Sequence, residues 1–127
     1  MSGWIGVDLD ATLARYDGFR PDGSIGDPVP RMLVRVKQWL AEGREVRIVT
    51  ARVAMPIEEA SVLRAGTMTR AIQEQRELIE AWCLKHLGQK LKVTSQKDYG
   101  MIALYDDRCY RVIPNTGLIV GEDLPTG

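Results

Sequence analysis

Trp4-Ile5-Gly6-Val7-Asp8-Leu9-Asp10-Ala11-Thr12-Leu13 decides the fold of this chain. An apolar run stops abruptly at two aspartates spaced two apart, and a threonine follows. Residues 4–8 read as a buried strand. Side chains alternate faces along a strand. With Asp8 closing the strand and Asp10 just beyond it, both carboxylates can converge on the carboxyl edge of a sheet, where open α/β folds hold their ligands. Two carboxylates about 4 Å apart repel by about 4 kcal/mol at an effective dielectric near 20. A bound cation or a shared proton makes such an arrangement tolerable.

Outward from this stretch, residues 14–30 hold glycines, aspartates, Pro21, Pro28 and Pro30 in turn-like settings, which predicts a long loop or small hairpin. Pro30 suits the first turn of a helix. Met32, Leu33, Val36, Trp39 and Leu40 then recur at helical spacing, and Gly43 closes the helix. Glu45 to Val49 forms a second strand that ends at Thr50-Ala51-Arg52. Pro56-Ile57-Glu58-Glu59 looks like a helix start that Gly66 ends or kinks. A longer helix is expected from about Thr69 to Leu87, with Ile72, Ile79, Trp82, Cys83 and Leu87 inward and Gly88 as its stop. Leu91 to Thr94 makes a third strand and Met101 to Tyr105 a fourth, which ends in Asp106-Asp107-Arg108. Tyr110 to Ile113 reads as a fifth strand, Pro114 to Gly117 as a turn, and Leu118 to Val120 as a final short strand. Strands alternating with helices imply a three-layer, Rossmann-like α/β domain with a mostly parallel sheet of about five strands. The connection after Asp107 is too short for a helix, so the late part of the fold is expected to be antiparallel or irregular.

The 127 residues suit a single domain, 1–127, large enough to bury a core without disulfides. Lysine plus arginine balances aspartate plus glutamate at 17 each, so net charge points to no particular partner. Cys83 and Cys109 lie far apart without metal-ligand spacing and read as buried thiols. No apolar run approaches the roughly 20 residues of a membrane span, and the N-terminus lacks a signal-type segment. A cytoplasmic protein that does not engage a membrane is the expectation.

The residues just past the strand ends are Asp8, Asp10 and Thr12, then Thr50 and Arg52, then Lys97, then Asp106 and Asp107. Carboxylates outnumber the single lysine in this set. A hard divalent cation with oxygen ligands resolves the excess, and magnesium fits because it keeps waters and favours phosphate. Histidine and cysteine are absent from the set, which argues against zinc.

Asp8-Leu9-Asp10-Ala11-Thr12 resembles the first motif of the haloacid dehalogenase (HAD) superfamily of phosphohydrolases. Val49-Thr50-Ala51-Arg52 is similar to its second motif, Lys97 can serve as its third, and Tyr105-Asp106-Asp107-Arg108 is similar to its fourth. The four occur in order across residues 4–108. The Asp-Asp-Arg ending and the small size also resemble the 3′-phosphatase domain of phage-type polynucleotide kinases.

The resemblance implies Asp8 as a nucleophile that forms an aspartyl-phosphate. Asp10 would protonate the leaving oxygen and then activate water. Magnesium would be held by Asp8, the main-chain carbonyl of Asp10, Asp106 and the phosphate, with Asp107 acting through water or orienting Lys97. Thr50 and the Ala51 amide would bind a phosphoryl oxygen, and Lys97 would neutralise Asp8 and the phosphoryl group, with Lys90 and Lys92 as competitors. Thr12 would hold the loop in shape. Glycine is common in the family where this chain has Ala11, and alanine there is expected to need a negative φ.

Many relatives carry a cap domain. Here residues 13–29 suit only a flap, and residues 53–68 only a short helical excursion. An unroofed site can receive a large substrate, such as a nucleic-acid end, as well as a nucleotide. Tyr16, Phe19 and Arg20 of the flap either contact that substrate or pack the flap down. Arg52 and Arg108 flank the expected phosphate position and suit a second phosphate, or else form surface ion pairs. His86, near a helix end, reads as structural, and Trp39 and Trp82 as packing. The expected activity is a magnesium-dependent phosphomonoesterase acting on a polynucleotide 3′-phosphate or a nucleotide. A small-metabolite phosphatase, a non-catalytic HAD-like binding protein and a stable phospho-aspartate regulator are the alternatives.

Overall fold

In the computed structural model, residues 3–55 and 62–125 are described. Strand β1 (Trp4–Val7) is buried along its whole length. Helix α1 (Pro30–Ala41) follows, then β2 (Glu45–Val49), a single 3-10 turn (Ala51–Val53), helix α2 (Val62–Leu87), β3 (Lys92–Thr94) and β4 (Met101–Tyr105). The four strands form one sheet in the order β3-β2-β1-β4, and every pairing is parallel. The α/β class and the parallel sheet expected from the sequence are present.

Local chemistry sets the element ends. Pro30 opens α1, where its missing N–H costs nothing. Gly43, just past the helix, takes φ +80, a left-handed conformation that glycine adopts without a side-chain clash. Helix α2 begins earlier than expected and runs through Gly66, which neither ends nor interrupts it. The helix start expected at residues 56–59 lies outside the described residues.

Register fixes the faces of the sheet. Ile5 pairs with Val46 and Val7 with Ile48. These side chains, with Val93, share one core with Val36 and Trp39 of α1 and with Ile79, Trp82 and Cys83 of α2. Each such side chain contributes about 1.5–3 kcal/mol when fully buried. Both helices therefore cover the same face. Trp4 points to the other face, where its indole N–H donates to Asp98 Oδ1 at 2.8 Å and Arg47 stacks over its ring at 4.4 Å. That hydrogen bond is the main reason Asp98 stays below the usual carboxylate range. Among the described residues the molecule thus has two layers, not three. The reason is the β3–β4 connection: residues 95–100 cross the second face as a loop, too short to carry a helix.

Among the described residues the strand count is four, not five. Tyr110–Ile113 and Leu118–Val120 form a small antiparallel pair, bridged between Val112 and Ile119, that stays off the sheet. The turn at Pro114–Gly117 is present, with Asn115 and Gly117 at positive φ. The chain leaves β4 through a turn in which the Arg108 N–H donates to Asp106 Oδ1 at 2.8 Å. Such an aspartate turn ends the strand, and no crossover follows that could add a parallel neighbour.

The flap is closed at its base. Arg15 N–H donates to the Asp27 carbonyl and Val29 N–H to the Leu13 carbonyl, both at 2.8 Å. Buried Gly26 offers its carbonyl to the Trp82 indole at 3.0 Å, which ties the flap to α2. A side chain at Gly26 would collide with the Arg15 backbone carbonyl, so glycine is required by that close approach.

Candidate active site

Strand β1 ends at Val7, and the Asp8 N–H donates to the Tyr105 carbonyl of β4 at 2.9 Å. This bond places Asp8 at the carboxyl edge, beside the end of β4. The two chain stretches then meet as the sequence suggested. Carboxylate oxygens of Asp8, Asp106 and Asp107 all lie within 4.8 Å of one another. Thr12 binds the group together. Its hydroxyl lies 3.3 Å from Asp8 Oδ2 and 3.2 Å from Asp107 Oδ1, donates its one proton to either, and accepts the Asp107 N–H at 3.1 Å. Thr12 therefore couples the first acidic loop to the second, a fuller role than shaping its own loop.

Crowding the carboxylates has an electrostatic consequence. Burial is the largest cause lifting Asp8, to about 7 from an ordinary 3.8. A hydrogen bond with Asp107 and the charge of Asp106 push in the same direction, and the Thr12 hydroxyl pulls against them. The donor set is all oxygen, with no imidazole or thiolate, which suits a hard cation of the magnesium or calcium type.

Asp10 stands apart from this trio. Both its carboxylate oxygens are taken by Arg52, at 2.7 and 2.9 Å. The two carboxylates of the first loop therefore do not converge, and the metal contact expected of Asp10 is through its main-chain carbonyl, which the Arg52 pair does not occupy. Of the two readings of Arg52, a phosphate contact or an ion pair, the structure has the ion pair, partly buried and held by Asp10. Its remaining donors reach the Gly23 carbonyl at 2.6 Å, the Ser24 carbonyl at 3.2 Å and Gln75 Oε1 at 3.0 Å. The participation of Gln75, Gly23 and Ser24 had no signal in the sequence, since the partners lie 23 to 29 positions from Arg52.

Thr50 is buried at the end of β2, and its hydroxyl accepts the Arg52 N–H at 3.2 Å. Thr50, Ala51 and Arg52 line one cavity of about 510 Å³ together with Asp8, Asp10, Asp106, Asp107 and Arg108. Strand ends distant in sequence thus share one concavity. Arg108 has no ion pair among the described residues. Lys97 is exposed on the β3–β4 loop and does not line the cavity. Desolvation and then the charges of Asp106, Asp8 and Asp107 raise the Cys109 thiol, and the charge of Lys97 opposes them. Lys90 and Lys92 are exposed and also lie outside the cavity lining.

Ala11 corrects a further expectation. It sits at φ +71, in the left-handed region that favours glycine. The tight turn in which Leu13 and Ala14 N–H groups both reach the Leu9 carbonyl imposes this conformation. Cys83 is buried as expected and its thiol is pushed up to about 11 by burial, whereas Cys109 is exposed. His86 packs on Trp82 with ring centroids 4.6 Å apart. Tyr16 and Phe19 are exposed, Phe19 at 82%, and with Arg20 they line a cavity of about 330 Å³ beside Asp10.

No family model matches the chain, and no curated protein does. The fold is similar to a solved structure from Bacteroides thetaiotaomicron, described as a conserved protein, with 17% identity over 86% of this chain and 78% of that one and a TM-score of 0.47. No helix among the described residues is long and apolar enough to cross a membrane.

Proposed function

We propose that this chain is a phosphomonoesterase in which Asp8 is the nucleophile. The observation that carries the reading is the convergence of Asp8, Asp106 and Asp107 within 4.8 Å, in a cavity that also holds buried Thr50. An Asp8 oxygen attacks phosphorus, the bond to the leaving oxygen breaks, and an aspartyl-phosphate forms. Asp10 supplies the proton to the leaving oxygen, which requires it to loosen from Arg52. Water then attacks the phosphorus, Asp10 takes its proton, and the bond to Asp8 breaks to release inorganic phosphate. The Thr50 hydroxyl and the Ala51 amide hold phosphoryl oxygens, while Arg108 balances their charge. Asp8, Asp106 and Asp107 would hold a magnesium ion, which when bound neutralises phosphoryl charge and keeps Asp8 ionised. Positioning and charge stabilisation dominate phosphoryl transfer, so these supporting groups matter as much as the nucleophile.

Membership of the HAD superfamily rests on the four ordered motifs, and the contact between the first and fourth supports it. Lys97, exposed on the β3–β4 loop outside the cavity lining, remains the lysine proposed for the third motif. The test is turnover of an aryl phosphate with magnesium. The unsubstituted chain should release phosphate and Asp8→Asn should not, with its melting transition retained. Equal turnover by both proteins would exclude Asp8 as the nucleophile.

A further inference from the structure

We propose that the groove between the first turns of α1 and the segment after β4 is a second anion site. It would hold another phosphate of the same substrate whose reacting phosphoryl group lies at Asp8. This inference rests on the phosphatase reading for the reacting end only.

The groove is a cavity of about 680 Å³ beside the acidic one, and the two share Ala11, Asp106 and Asp107 in their walls. Its other walls have the opposite charge. Arg31 and Arg35 enter from α1, four residues apart and so on one helix face. Arg111 enters from the segment after β4. None of the three forms an ion pair among the described residues, and all three are exposed. A chain with no net charge thus lines one concave surface with three guanidinium groups that form no ion pair among the described residues, against the two carboxylates of the shared wall.

Guanidinium forks match phosphate oxygens in pairs, which makes arginine the suitable residue for this task. The shared acidic wall repels a second anion, so favourable binding falls toward Arg31 and Arg35, away from Asp106 and Asp107. Tyr105 and Tyr110 add flat surfaces to the groove, and the Tyr105 ring is braced by Trp39 at a centroid distance of 4.9 Å. A substrate with one phosphate fills the acidic cavity and leaves the groove unused. One with a second phosphate reaches past Asp107 into it. The second phosphate can belong to a small bisphosphate or to the next linkage of a polynucleotide, because both offer the same oxygens.

Binding to the Asp8→Asn chain in magnesium tests this without requiring turnover. The probes are thymidine 3′-monophosphate, thymidine 3′,5′-bisphosphate and a 3′-phosphorylated pentathymidylate, each titrated calorimetrically. At least one doubly anionic probe should bind about tenfold or more tightly than the monophosphate. Adding Arg31→Gln with Arg35→Gln should shrink that advantage to within about twofold, and Arg111→Gln, on a different element, should reduce it in a separately folded background. An advantage for the bisphosphate identifies a small substrate, and one confined to the pentathymidylate identifies a polynucleotide. Equal affinity for all three probes, or an advantage that survives the arginine substitutions, overturns the proposal. Aryl phosphate turnover by the unsubstituted chain is scored separately, so failure of the phosphatase reading leaves the binding comparison intact.

Discussion

Arg52 grips both carboxylate oxygens of Asp10, through Nε at 2.7 Å and Nη2 at 2.9 Å. The same guanidinium reaches two flap carbonyls and Gln75 of α2. One side chain therefore joins the end of β2, the first acidic loop, the flap and the long helix. Bidentate geometry and partial burial make this pair stronger than an ordinary surface ion pair. Arg52→Ala should destabilise the fold by about 1–3 kcal/mol, because several acceptors lose their donor together. A double-mutant cycle with Asp10→Asn in urea should return a coupling of about 1–2 kcal/mol. Additive effects would show that the two side chains do not act together.

The raised Asp8 links acidity to metal binding. Its folded-state value of about 7 lies above the ordinary 3.8, so the metal-free fold favours the protonated carboxyl. The stability this supplies is fully present below about pH 4 and is lost as pH rises through about 7. Magnesium requires the ionised form, so its binding should release a proton near pH 6 and strengthen toward pH 8. Urea midpoints in chelator and in magnesium should separate widely at pH 8 and little at pH 5. Equal separation at both would contradict the linkage, and Asp8→Asn should abolish it.

Ala11 occupies a conformation that costs a non-glycine residue about 1–2 kcal/mol. Part of that is returned on substitution because glycine loses more chain entropy on folding. Ala11→Gly should therefore raise stability by about 0.5–1 kcal/mol, read from the denaturant midpoint. A loss of stability would mean that the turn gains more from the methyl group than it loses to backbone strain.

The opposite substitution at Gly26 should be harmful. A methyl group there meets the Arg15 carbonyl, and the Gly26 carbonyl is the acceptor for Trp82. Gly26→Ala should cost about 2–3 kcal/mol and shift Trp82 fluorescence as the flap lifts from α2. An unchanged melting midpoint would show that the flap base yields easily.

Much of this architecture was legible because it depends on local patterns. The apolar run ending at Asp8, the helical spacing from Met32 to Trp39, and the strands at 45–49 and 101–105 fix the parallel sheet and bring Asp106 and Asp107 to Asp8. What was not legible depends on contacts between elements. Asp10 carries the same charge as Asp8 and sits two residues away, yet Arg52 turns it elsewhere. The positive φ at Ala11 follows from three-dimensional turn closure, against the preference of the residue itself. The apolar residues after Arg108 have strand character, but a turn at Asp106 and a short connection keep them off the sheet. The second helical layer failed to appear because residues 95–100 provide no helix, a fact visible in the spacing once strand order is known.

The central claim is that Asp8 takes the phosphoryl group. Rapid acid quenching of the magnesium-loaded chain during aryl phosphate turnover, followed by peptide mass analysis, measures this directly. The account predicts a phosphate adduct on the peptide carrying Asp8, absent from Asp8→Asn and cleared by alkaline hydroxylamine as an acyl phosphate is. Turnover accompanied by an adduct on another residue, or an adduct that persists in Asp8→Asn, would contradict it.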